Sequence, residues 1–434
     1  MKKLAGFVIL VLRSITLAMR VASRWAVYLS VLVPLVLGTA WVVRNFPRQR
    51  VSPALVWGST PIHNFALWSR AMEAAGHSST TFTHPPFAIH ERSDWDRVLS
   101  EEYPRHSQYI ASHLGFLKAL REFDVFFLPA NGFFLGFQSS ALFPNLFRRL
   151  HGKVLKYAGK KIVLLPYGAD AYVYRRVRSA QLQHGLMLSY PVPGREQRQI
   201  SRDLDFWVDV ADVVIPGFMG FDGIGRWDVL TPSPLIVDLG FWSSRNQKKP
   251  KTRRTVVVGH APNHRGFKGS EFVIDAVDQL KSEGFDLELL LLEGMTLRQV
   301  RDALVRDVDI LVEQLLFFGH GLNGLEGMAA GLPVVSNLEA KGPRSVLDSY
   351  TFFRDCPIVS AQPDTVVDVL RDLVSDPEKR AIHGQLGRRY VERWHSPESA
   401  QYLFESVIRY LGGEEFALKN LFHPLGEKIP TERR

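Results

Sequence analysis

Between Val51 and Gly412, short runs of Val, Ile, Leu and Phe alternate with longer stretches in which apolar residues recur every three or four positions. Short unbroken apolar runs suit strands buried on both faces, and the longer stretches suit amphipathic helices crossing over them. The pattern predicts strands at Ala54–Trp57, Thr80–Phe82, Val125–Leu128, Ile162–Pro166, Val213–Ile215 and Leu235–Val237. It restarts with Thr255–Val258, Leu287–Leu292, Asp309–Val312, Leu332–Val335 and Ile358–Val359, separated by helices such as Glu271–Ser282 and Leu297–Arg306. Arg245–Arg254 is basic, contains a proline and has no apolar period, so it suits a linker. The expected architecture is α/β: two Rossmann-like domains, 51–245 and 246–412, facing across a cleft, with a helix and tail over 413–434. Open parallel sheets bind ligands at the carboxyl ends of their strands, which places a site between the domains.

The first fifty residues follow another pattern. Trp25–Val43 carries no charge and is long enough, at about 1.5 Å per residue, to cross the roughly 30 Å of a bilayer core. Trp25, Tyr28 and Trp41 lie near its ends, where aromatic rings favour the interface, so a transmembrane helix is expected over 25–43. Leu4–Met19 is also apolar but is interrupted by Arg13, which leaves one or two spans open.

Composition narrows this picture only in places. Hydrophobic residues make up 46% and charged residues 22%, which excludes a disordered chain. The lone Cys356 excludes an intramolecular disulfide and a cysteine-cluster zinc site. The net charge is +9, and Lys2, Lys3, Arg13, Arg20, Arg24, Arg44, Arg48 and Arg50 flank the apolar segment. That clustering favours lipid headgroups over nucleic acid as the anionic partner.

Two segments carry candidate chemistry. The predicted strand Thr255–Val258 runs through Gly259–His260–Ala261–Pro262–Asn263–His264–Arg265–Gly266–Phe267–Lys268–Gly269 into a helix. Helix-start N–H groups beside Arg265 and Lys268 make an anion site fit for a diphosphate, with His264 alongside; a solvated basic loop capped by Ser270 is the plain alternative. Further on, Gly319, His320, Gly321, Asn323 and Gly324 form a glycine-rich loop. Its glycines let backbone amides approach phosphate oxygens, and Glu326, expected in the first turn of the next helix, can accept hydrogen bonds from ribose hydroxyls or serve as a helix-stabilising charge. In the first half, Gly58, Ser59 and His63 follow a strand, with a structural helix-entry turn as the plain alternative; Asp170 also follows one, with an N-cap or arginine-paired role as its alternative, and Asn131–Gly132 is a weaker candidate on the same edge.

Together these segments resemble the donor domain of GT-B glycosyltransferases, specifically the retaining family 4, over about Thr255–Asn337. Glu326–Val334, EGMAAGLPV, matches that family's E-A-M-A-x-G-x-P-V stretch. The resemblance implies that Arg265 and Lys268 contact the donor diphosphate and that Glu326 holds the ribose. It further implies that Gly58–Asn64 lies beside donor and acceptor, and that Asp170 orients the acceptor. Implied with it is a nucleoside diphosphate sugar as donor, with no cofactor and no metal required. The apolar N-terminal segment adds the expectation of a membrane-anchored enzyme with a saccharide or lipid-linked acceptor, and a nucleotide-sugar donor places its catalytic domains in the cytoplasm. One departure stands out: the family's first glutamate, eight positions before Glu326, is Phe318 here. His320, Asn323, Glu313 and Gln314 are the substitutes nearest in sequence. A nucleotide-sugar epimerase and a non-catalytic scaffold with the same fold are the rival readings.

Overall fold

The short apolar runs become strands covered on both faces, and they assemble into two parallel sheets. In this computed structural model the described residues are 28–87, 90–135, 146–216, 223–243, 255–338, 349–415 and 418–422, with 16, 19, 22 and 26. The first half runs α1 (Val33–Asn45), β1 (Leu55–Trp57), α2 (His63–Ala74), β2 (Ser79–Thr83), β3 (Arg97–Val98), α3 (Leu99–Glu102) and α4 (Gln108–Glu122). It continues with β4 (Val125–Leu128), α5 (Leu146–Tyr157), β5 (Lys161–Leu164), α6 (Ala180–Ser189), α7 (Pro191–Arg195), α8 (Gln197–Val210) and β6 (Val213–Val214). The strand order is β3-β2-β1-β4-β5-β6, with Leu55 in register between Ser79 and Val125.

The second half runs β7 (Val256–His260), α9 (Arg265–Lys268), α10 (Ser270–Ser282), β8 (Leu287–Leu291), α11 (Leu297–Arg306), β9 (Ile310–Val312) and α12 (Leu322–Ala329). Then come β10 (Val334–Ser336), α13 (Thr351–Arg354), β11 (Val359–Ser360), α14 (Val366–Ser375), α15 (Pro377–Trp394) and α16 (Pro397–Leu411). The order here is β11-β10-β9-β7-β8. Strand order reverses between β1 and β4 in the first sheet and between β7 and β9 in the second. A crevice opens at such reversals, so the loops after these four strands are the ones placed to hold a ligand.

Several expectations are corrected. Leu235–Val237 is not a strand; its backbone joins the halves instead, Ile236 N–H donating to Asn64 Oδ1 at 2.7 Å and Val237 N–H to the His395 carbonyl at 3.0 Å. Helix α16, expected in the C-terminal unit, lies on the first sheet's layer. There Phe404 packs edge-on to Trp57 and Trp68, and Gln401 Nε2 donates to the Ala71 carbonyl at 2.8 Å. The transmembrane segment is also revised. Tyr28–Leu32 is a π-helix leading into α1, and among the described residues no helix is long and apolar enough to cross a membrane. Instead, α1 lies along α4 and α5 with Leu32, Val36 and Ala40 buried at helical spacing. The apolar run Leu4–Met19, save residues 16 and 19, lies outside the described residues. So do the linker Arg245–Arg254 and the tail after residue 422.

Candidate functional site

Strand β7 delivers His260, and the strand's neighbours fix that ring before any ligand is considered. His260 Nδ1 faces the Val312 carbonyl at 2.7 Å and Nε2 faces Ser270 Oγ at 2.8 Å. A carbonyl only accepts, so Nδ1 carries the proton and Nε2 accepts from the serine. Burial holds this ring down at about 4, so it stays neutral. Its role is to tie β7, β9 and the start of α10 together beneath the loop.

That loop ends in α9, where the two basic residues part company. Arg265 is half-exposed and binds Glu271 at 3.0 Å and Glu293 at 3.5 Å. Lys268 turns inward: its Nζ donates to Glu313 Oε1 at 3.1 Å and to Gln314 Oε1 at 2.8 Å, with the side chain 10% exposed. Gly321 N–H donates to the same Glu313 oxygen at 2.7 Å. Glu313 Oε2 is buried and has no hydrogen-bond partner, and a Cβ on Gly324 would come within 2.1 Å of it. Glycine is therefore required at 324 because the carboxylate fills the space under the loop. Glu313 and Gln314, the first residues after β9, are thus the carboxylate and amide that organise the cluster.

The rest of the glycine-rich loop is held from below. Gly319, at φ +94°, donates its N–H to the Asn337 carbonyl at 2.7 Å, and its own carbonyl accepts from Ser336 Oγ at 2.7 Å. His320 is buried against His395 with ring centroids 5.0 Å apart, and burial lowers it to about 4. Phe318, standing where the resemblance expects a glutamate, stacks on Phe353 at 5.8 Å. Glu326 lies one residue beyond the first turn of α12 rather than within it, and Asn323 Nδ2 donates to its Oε2 at 3.2 Å. Burial first, and then the nearby Glu313 charge, push the Glu326 carboxyl up to about 8. A carboxyl in that state gains from hydroxyl donors that favour its ionised form.

Across the cleft, the loop after β1 is closely packed. Gly58 has φ +154°, and a Cβ there would meet the Phe82 carbonyl oxygen at 2.3 Å. Ser59 is buried, its Oγ accepting from Phe134 N–H at 2.7 Å, so it shapes the loop rather than facing the cleft. His63 opens α2, 3.9 Å from Asp94, and burial lowers it to about 4 despite that carboxylate. It is a neutral imidazole with proton-accepting capacity. Asp170 accepts from the N–H groups of Ala130 (2.8 Å), Gly168 (2.9 Å) and Tyr167 (3.1 Å), and burial raises its carboxyl to about 6. Its bonds join the loops after β4 and β5.

Two features of the cleft were not anticipated. Helix α6 packs directly on α9: Phe267 N–H donates to Ser189 Oγ at 2.6 Å, and Tyr190 lies 4.4 Å from the His264 ring. Leu182, Leu186, Tyr172 and Val177 close an apolar cluster there around Phe267 and Phe317. Further along, Arg298 of α11 pairs with Glu91 from the first half. The only signal for the first contact in the sequence is the glycine pair Gly185 and Gly266, whose missing side chains let the backbones meet.

Comparison with solved structures agrees with this layout. Sucrose-phosphate synthase from Thermosynechococcus elongatus matches with a TM-score of 0.53 at 14% identity, covering 83% of this chain and 99% of that one. The Anabaena protein HepE, solved with UDP and glucose, matches with a TM-score of 0.52 at 10% identity over 84% and 100% of the two chains. The fold is GT-B-like. No family model matches the chain, and no curated protein matches its sequence. In the GT-B-like frame the Lys268 cluster and Glu326 stand on the C-terminal sheet, and the Gly58–His63 loop stands on the N-terminal one.

Proposed function

We propose that this chain is a glycosyltransferase that moves a hexosyl group from a nucleoside diphosphate sugar to an acceptor hydroxyl, with retention of anomeric configuration. What carries the reading is the cluster at the carboxyl edge of the second sheet: buried Lys268 on Glu313, the amides of Gly321 and its neighbours, and Glu326 at the next helix. As the glycosidic bond breaks, negative charge grows on the leaving diphosphate. Lys268, Arg265 and the N-terminal amides of α12 are the groups that offset it, in a reading that needs no metal. Arg265 reaches the phosphates by exchanging Glu271 and Glu293 for them. Glu326 accepts the ribose hydroxyls, and His63 serves the acceptor side. The acceptor is a saccharide or lipid-linked hydroxyl of a surface polysaccharide or glycolipid.

UDP, present in the Anabaena structure, is the first nucleotide to test. Titrating the full chain with nucleoside diphosphates while following thermal stabilisation should give a shift that grows with ligand over Kd. Glu326→Gln should weaken that binding by about tenfold to a hundredfold, as for loss of hydrogen bonds to a charged group. A folded protein that none of these nucleotides stabilises would refute the proposal. Phe318 stacked on Phe353 motivates the rival scaffold reading. Nucleotide binding without acceptor-dependent release of the diphosphate would favour it, and interconversion of the sugar without acceptor would mark an epimerase.

A further inference from the structure

Helix α1 is apolar nearly all round, yet the described residues cover only one side of it. Leu32, Val36 and Ala40 are buried on that side. On the other, Val31, Leu35, Leu37, Trp41, Val42 and Phe46 are each 46% to 68% exposed. A helix that is hydrophobic all round is ordinarily covered all round, and among the described residues this outer face has no occupant. Arg44 fixes the helix lengthwise on the domain: its Nη1 donates to the Tyr157 carbonyl at 3.2 Å and its guanidinium lies 4.8 Å from the Tyr157 ring. The helix is thereby held along the surface of the first domain rather than projecting from it.

The charges around this face choose its occupant. A groove of about 1040 Å³ runs beside the helix, lined by Leu35, Trp41 and Phe46 on one part and by Arg44, Arg48 and Arg121 on another. Among the described residues that line it, the one carboxylate, Asp124, is already bound by Arg50 at 3.1 Å and Lys160 at 3.2 Å. An apolar stripe with an exposed tryptophan, rimmed by arginines that have no carboxylate partner among the described residues, has the chemistry of a segment lying in the interface of an anionic bilayer. We propose that the outer face of α1 docks the protein on an anionic lipid surface, with α1 parallel to the membrane plane and Arg44, Arg48 and Arg121 at the phosphate level. This reading stands independently of the sugar-transfer proposal.

The test is flotation of the full chain with phosphatidylcholine vesicles with and without phosphatidylglycerol, at low and high salt. Binding should require the anionic lipid and weaken as salt rises. The double variant Leu35→Asp with Trp41→Asp, at exposed positions that leave the fold intact, should lower vesicle partitioning about tenfold or more. Arg48→Glu with Arg121→Glu should remove the preference for anionic lipid. Unchanged partitioning of the aspartate variant would overturn the proposal by assigning any binding to the residues before α1. Equal binding to neutral vesicles would overturn the charge argument. Self-association abolished by the aspartate variant, without vesicle binding, would make the face a contact between copies.

Discussion

Lys268 and Glu313 form an ion pair at 3.1 Å in which the carboxylate is fully buried and the ammonium nearly so. Desolvating both charges offsets most of their attraction, so the pair is weak support for the fold while intact. It becomes costly when halved. Lys268→Ala leaves Glu313 buried without its cation and should destabilise the protein by about 3–5 kcal/mol. Lys268→Met with Glu313→Gln should recover much of that loss. Urea midpoints of the two variants decide the matter, and they must be known before any lost turnover in Lys268→Ala is assigned to chemistry.

Gly324 bears on the same pair from above. An alanine Cβ would lie 2.1 Å from Glu313 Oε2 and 3.4 Å from the His320 Cβ, so the loop or the carboxylate must move. Gly324→Ala should cost about 1–3 kcal/mol, as overpacking does. It should also weaken nucleotide binding, because Gly321 N–H loses its fixed acceptor. Equilibrium unfolding beside a nucleotide titration measures both effects.

Glu326 gives a pH dependence with a definite sign. Its carboxyl sits at about 8 in the folded chain against an ordinary value of 4.5, so between these values the folded protein holds a proton that the unfolded chain has lost. Its contribution to stability is full below 4.5 and is lost as pH rises through about 8. Glu326→Gln should flatten that part of the stability profile. Urea midpoints measured across this window in wild type and variant should diverge steadily; parallel curves would contradict the burial argument.

The contact between α6 and α9 predicts a mechanical effect. A Cβ on Gly266 would lie 2.6 Å from Leu188 Cβ and 3.0 Å from Ser189 Oγ. Gly266→Ala should force the two helices apart and enlarge the radius of gyration in small-angle scattering. An unchanged scattering curve would mean that the helices slide past each other instead.

The parallel sheets were legible because strands such as Val125–Leu128 are buried on both faces and leave an unbroken apolar run. Strand β3 was not, since Arg97–Val98 is too short to make a pattern. Leu235–Val237 has the composition of a strand, but the amides of Ile236 and Val237 are spent on Asn64 and His395, partners far away in sequence. The same limit applies at the site. Residue order placed Lys268, Gly321 and Glu326 on the loop-to-helix segments that follow neighbouring strands, whereas the Glu313 anchor depends on which way a side chain turns at the end of β9. Arg265 and Lys268 look alike as a basic pair in the sequence, and only packing separates the exposed one from the buried one.

Helix α16 also changes how the molecule must be assembled and cut. Trp57, Trp68 and Phe127 receive Phe404 from a segment that leaves the ribosome after the entire second sheet. The first sheet therefore keeps an aromatic face open throughout synthesis of the second, and the two halves complete folding together rather than in turn. A fragment ending before Pro397 should expose that face and aggregate. The first half should become soluble by itself only when α16 is supplied with it, as a separate peptide or through a linker. The covalent order of the chain and the order of its finished layers differ by this one helix.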